Sequence, residues 1–203
     1  MRVALPALYV AVGRRLGYPL WIVQAKEHLF ARWEQPGGDR FNIECTSRGF
    51  LSHEDREYHD QPRPLNDEEL ASGQFLRNLT PREELSLFLR ERGHCLLDNL
   101  RFFEAADAYY LADQLAPDMP GAANAYPVAM ALWNVLIASK NRARAEGKTR
   151  FEPEDLRVPN DAPDWLRAMT PMARTHVNRI LRIHLAKADA GNPTKEYLNF
   201  CKL

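Results

Sequence analysis

A net charge is missing from this sequence: 27 Lys+Arg stand against 27 Asp+Glu over 203 residues. That balance argues against nucleic acid or an acidic membrane surface as the main partner. Long apolar runs are missing too, and none approaches the ~20 residues of a bilayer-spanning helix. Cysteine is scarce. Cys45, Cys95 and Cys201 are odd in number and widely spaced, which excludes a disulfide framework and fits a reducing, cytoplasmic compartment. The apolar stretch Val3 to Val12 has the look of a signal peptide, but Arg14 and Arg15 follow it and no small-x-small cleavage site is evident. What remains, 45% hydrophobic and 27% charged, is the composition of a soluble globular chain long enough to bury a core.

Read for local structure, the chain changes character near residue 80. Residues 3–16 predict a mostly buried helix stopped by Gly17. Leu20 to Val23, His28 to Trp33 and Phe41 to Thr46 read as strands. The last two flank Gln35-Pro36-Gly37-Gly38-Asp39, a turn signal that makes them an antiparallel hairpin. From Thr46 to about Asn66 the chain is polar and without period, and reads as a long surface loop. Capping boxes at Asn66/Glu69 and Thr80/Glu83 open helices, the second aided by Pro81 at the first helical position. Further helices are expected over 81–97, 101–115, 124–146 and 171–189, the last opened by Thr170-Pro171, with 147–163 as a linker. The fold class is therefore α+β: a helix on a small antiparallel sheet, then an all-α tail.

Chemistry concentrates in the hairpin. A register centred on Gly37 places His28, Phe30, Glu44 and Thr46 on one face, with His28 and Glu44 as diagonal neighbours within reach of a hydrogen bond. A carboxylate on one imidazole nitrogen fixes the tautomer and leaves the other nitrogen as a base. The same two residues also fit a half-buried histidine and a surface glutamate, and a one-residue slip would separate them.

The segments VALPALYVAVGRRLGYPL (3–20), HLFARWE (28–34) and FNIECTSRG (41–49) together resemble the core of the transglutaminase-like superfamily of papain-type cysteine hydrolases. Gly17-Tyr18-Pro19 is similar to that superfamily's Gly-x-Pro, His28 to its histidine and Glu44 to its acidic residue. The resemblance covers about residues 2–80. It implies thioester-forming amide hydrolysis or acyl transfer, with His28 as base and Glu44 orienting it. It also implies a nucleophilic cysteine at position 2, where this chain has Arg2, and no cysteine precedes His28. The expectation is a chain inactive in that reaction, as a pseudoenzyme or as part of an enzyme whose reading frame extends upstream, the latter preferred. Cys45 adjoins Glu44 and so points to the other sheet face. The three cysteines are expected as small buried hydrophobes, or in Cys201 a mobile terminal thiol.

The tail carries a second resemblance. Leu89, Gly93, Leu96, Ala105, Tyr109, Ala112 and Pro117 fall where a tetratricopeptide repeat places its key residues, giving one helix pair over about 86–119. Gly93 and Ala105 allow close approach, while Leu96, Tyr109 and Ala112 fill the seam. The domain expectation is thus a transglutaminase-like core over 1–79 and a helical region over 80–203. The chain resembles the bacterial arrangement of such a core with such a tail. An alternative function is a non-catalytic scaffold that meets a protein or peptide partner through the tail. No cofactor, metal, nucleic acid or membrane is called for. The cluster His53 to Asp60 fits no zinc spacing and reads as a solvated loop, and the basic run Lys140 to Arg150 reads as a solvated helix end.

Overall fold

The computed structural model describes residues 3–47, 51–119, 125–157 and 164–203. Among these the chain is a mixed fold of helices and one three-stranded antiparallel sheet. It forms two compact units, Met1–Glu91 with Leu115–Pro120, and Arg92–Gln114 with Gly121–Leu203. No helix among the described residues is long and apolar enough to cross a membrane.

In the first unit, α1 (Ala4–Arg15) stops as expected at Gly17, whose φ of 84° suits a residue without Cβ. The helix is not mostly buried, however. Pro6, Val10 and Gly13 face inward, while Leu5, Leu8, Tyr9, Val12 and Leu16 are exposed. A three-stranded sheet covers only one side of a helix, so the outer apolar residues are left in solvent. Gly13 lets α1 settle on Leu20, with which any Cβ would collide.

Strands β1 (Leu20–Ala25), β2 (His28–Glu34) and β3 (Arg40–Ile43) follow in spatial order, with β2 central. Ala31 pairs with Ile43 and Trp33 with Phe41, so the β2–β3 hairpin is centred on Gly37 at φ 70°. Side chains alternate across this sheet. Leu20, Ile22, Leu29, Ala31 and Ile43 build a core with Val10, Leu79 and Leu87. Val23, Ala25 and Phe30 lie on the opposite face against Tyr58. β3 is shorter than its sequence suggests. The chain leaves the ladder after Ile43, because the Glu44 carboxylate turns back to bind the amide and hydroxyl of Thr46.

The stretch expected as a surface loop contains α2 (Asp55–Asp60), opened by a Glu54/Glu57 capping box and burying Tyr58 on its inner side. α3 (Asp67–Ala71) begins at the expected Asn66/Glu69 box. α4 (Pro81–Asp98) follows Thr80, whose amide and hydroxyl both donate to Glu83. The hydrogen-bonded Arg77 guanidinium holds the Glu83 carboxyl down to about 2, outweighing its partial burial. Arg14 grips Glu84 through two bonds of 2.8 and 2.7 Å, fastening α1 to α4.

The second unit gathers the last turns of α4, α5 (Phe102–Leu115), α6 (Ala125–Ala145), α7 (Asp164–Asp189) and α8 (Lys195–Phe200) around one core. α7 starts earlier than Thr170-Pro171 and runs through that pair, since an interior proline removes one helical hydrogen bond without ending a helix supported elsewhere. Residues 147–157 are not a free linker: Phe151 is fully buried and its amide donates to the Cys201 carbonyl. Residues 158–163, the rest of that expected linker, lie outside the described residues. Cys201 is buried behind Tyr197 and Phe200 rather than mobile, and Cys95 is exposed rather than buried. Both depend on α8 and on the rotation of α4, which short-range spacing does not set.

The α4–α5 contact is close. A Cβ on Gly93 would lie 2.6 Å from the Tyr109 ring, whose hydroxyl is tied to His94 Nδ1 at 2.7 Å. The tether stops the ring from swinging away. Gly93→Val should therefore destabilise the chain by about 1–3 kcal/mol, as expected of overpacking. Urea unfolding reads this directly, and an unchanged midpoint would mean that Tyr109 moves aside at no cost.

Candidate functional site

His28 opens β2 and Glu44 follows β3 directly, so both stand at one end of the sheet, on the face away from α1. Extending the observed register by one pair sets Glu44 opposite Phe30 and leaves His28 on the diagonal. The two side chains meet: His28 Nε2 lies 2.7 Å from Glu44 Oε2. Their side chains are 18% and 9% exposed, respectively.

Glu44 is filled with donors. Oε1 accepts the Thr46 amide at 2.8 Å and the Thr46 hydroxyl at 2.6 Å. Oε2 accepts the Tyr58 hydroxyl at 3.1 Å as well as His28. Burial works against ionisation, but the hydrogen bonds from Thr46 and His28 outweigh it and hold the carboxyl below the ordinary glutamate range. An ionised carboxylate only accepts, so Nε2 must carry the hydrogen of this contact. In the neutral ring Nδ1 is then the proton acceptor, and it has no hydrogen-bond partner among the described residues.

The pair opens into a recess of about 300 Å³, lined also by His53, Glu57, Tyr58, Gln61 and Pro62. The run His53 to Asp60 thus supplies one wall of the recess. His53 Nδ1 pairs with Glu57 Oε2 at 2.8 Å, and the His53 ring meets Tyr58 edge-on. Among the described residues no group of three histidine, cysteine or acidic side chains is placed to hold a metal ion.

Beneath α2 sits a polar cluster that the sequence reading missed. Arg32, on the site face of β2, is 1% exposed. Its Nε donates to Asn42 Oδ1 at 2.8 Å, Nη1 to the Leu76 carbonyl at 3.0 Å and Nη2 to Asp55 Oδ1 at 2.5 Å. Burial lowers the basicity of Arg32 despite Asp55. For Asp55, burial is outweighed by Asn42, Arg32 and Arg40, and its carboxyl is held low. This cluster pins the first turn of α2 to the sheet. One signal was available for α2: Glu54 and Glu57 stand at capping-box spacing immediately before Tyr58. Nothing local marks Arg32 as buried.

The cysteines lie elsewhere. Cys45 faces the α1 side, in a recess with Leu5, Leu8 and Tyr9, and burial pushes its thiol up to about 11. It is a protonated thiol near neutral pH, on the wrong face for His28. Cys95 and Cys201 belong to the second unit. Arg2, at the expected nucleophile position, lies outside the described residues. The basic run braces the second unit instead of forming a free patch: Lys140 lies over the Phe151 and Phe200 rings, Lys148 pairs with Asp155 and Arg150 with Glu152.

No protein-family model matches the chain, and neither does a curated protein or a solved structure.

The lowered Glu44 carboxyl has a consequence for stability. A group whose folded value lies below its unfolded one stabilises fully above the unfolded value, and that stabilisation is lost as pH falls through the folded one. The gap in unfolding free energy between the wild type and Glu44→Gln should therefore be widest near neutral pH. It should narrow as pH falls through and below the ordinary glutamate range. Urea denaturation of both proteins across that range measures it, and a gap independent of pH would contradict the assignment.

Proposed function

We propose that the first unit carries the base and orienting carboxylate of a thiol-dependent acyl-transfer site of the transglutaminase-like kind, in a chain that lacks the nucleophile. The observation that carries this reading is the bond from His28 Nε2 to Glu44 Oε2, which leaves Nδ1 as the acceptor beside an open recess. A second feature supports it. The last turn of α1 sits at the start of β1, where Arg14 Nε donates to the Leu20 carbonyl. That is the sheet end opposite His28, since His28 pairs with Ala25 at the far end of β1, so the first turns of α1 run away from that end.

In this chemistry a thiol gives its proton to His28 Nδ1 as sulfur bonds to an amide carbonyl carbon. The C–N bond then breaks, and His28 returns the proton to the departing amine. Water or a second amine attacks the resulting thioester and frees the sulfur. Glu44 keeps the ring oriented and stabilises its protonated form. With Arg2 at the nucleophile position and Cys45 protonated on the opposite face, this polypeptide catalyses no such turnover by itself.

The test supplies the missing thiol. Arg2→Cys and Arg2→Cys/His28→Ala are treated with iodoacetamide near neutral pH, and modification at position 2 is followed by peptide mapping. A histidine-paired thiol is far more ionised than a free one. Alkylation should be at least about tenfold faster with His28 present. Equal rates in two folded proteins would remove His28 from the base role.

A further inference from the structure

The donors to Glu44 differ in origin. Those from Thr46 are two residues away and come with the turn after β3, and His28 comes from the neighbouring strand. Tyr58 arrives from α2, an element held to the sheet by Asp55, which accepts from Arg32, Arg40 and Asn42. Tyr58 also touches His28 through its ring. The two rings lie 5.9 Å apart at 17°, and the Tyr58 ring also stacks on Phe30, at 4.0 Å and 10°, and meets His53 edge-on. One side chain therefore meets both members of the pair, the imidazole by stacking and the carboxylate by its hydroxyl.

We propose that Tyr58 is the positioning residue of the His28–Glu44 pair: its hydroxyl holds Glu44 Oε2 in line with His28 Nε2, and so keeps neutral His28 in the tautomer with Nδ1 open to the recess. The inference deepens the acyl-transfer reading and rests on it for its function, although the tautomer itself does not require a nucleophile. Two features support it. Among the described residues Oε2 has two donors, so removing the hydroxyl leaves the imidazole as its single donor while Thr46 still holds Oε1. Burial and the adjacent Glu44 carboxylate push the Tyr58 hydroxyl well above its ordinary range, so it remains a donor and does not act as a base itself.

The decisive variant is Tyr58→Phe, which keeps the ring on Phe30 and removes only the oxygen. The first readout is the His28 tautomer in the otherwise native chain, from nitrogen-15 correlation spectra at alkaline pH, with His28→Gln used to assign the signal. The wild type should show the Nε2–H form, and Tyr58→Phe should raise the ratio of Nδ1–H to Nε2–H by up to about fivefold, the worth of one ordinary hydrogen bond being the ceiling. An unmoved tautomer in a folded Tyr58→Phe protein overturns the proposal. Should that variant fail to fold, fluorotyrosine at position 58 preserves the shape and makes the hydroxyl a stronger donor. The His28 signals should then shift, and unshifted signals overturn the proposal equally. The second readout is alkylation in the Arg2→Cys background, which Tyr58→Phe should slow by up to about fivefold. The two readings fail separately. A moved tautomer with alkylation independent of His28 removes the acyl-transfer reading and keeps the role of Tyr58. An unmoved tautomer with alkylation dependent on His28 does the reverse.

Discussion

The Glu44 carboxylate is the constraint on which the site depends. It is nearly buried, and burial alone would favour its neutral form. Four hydrogen bonds from three parts of the chain reverse that, and each of them ties Glu44 to something else. Thr46 ends the strand, His28 sets the imidazole, and Tyr58 brings in α2. An ionised, fully satisfied carboxylate at this point decides which nitrogen of His28 holds a hydrogen and which faces the recess.

The sheet makes this possible by separating two tasks. Its α1 face is apolar apart from Gln24 and builds the core with Val10, Leu79 and Leu87. Its other face carries His28, Phe30, Arg32, Asn42 and Glu44, a row that would be costly to bury without partners. The cost is offset by α2. Asp55 answers Arg32 and Arg40, Tyr58 answers Glu44, and the Tyr58 ring covers Phe30. Packing and part of the polar satisfaction on this face thus come from the same six-residue helix, with Thr46 and the Leu76 and His53 carbonyls supplying more.

The second unit provides a contrast in histidine chemistry. His184 is 5% exposed, with Nε2 donating to the Asp98 carbonyl and Nδ1 bonded to Thr194 Oγ1. Both nitrogens are occupied, and the ring works as a structural connector between the end of α4, α7 and the start of α8. His28 has one nitrogen committed to Glu44 and the other unbonded among the described residues, beside an open recess. That difference, more than the identity of the residue, marks one histidine as a candidate base and the other as scaffold.

The features legible in the sequence were those governed by short-range geometry. A turn centred on Gly37 determines which residues of β2 and β3 share a face, so the meeting of His28 and Glu44 followed from counting. Capping boxes at Asn66 and Thr80 and the stop at Gly17 follow from spacings within one or two elements. The exposed outer face of α1, the burial of Phe151 and Cys201, and the polar cluster around Arg32 depend on which distant segment covers which surface. No periodicity encodes that. By itself the sequence determined the register that joins His28 to Glu44. Only the tertiary structure decided that Tyr58 and Arg32 would lock the pair in place, because burying charge requires partners from elements far apart in the chain, and those partners meet only when the whole unit folds.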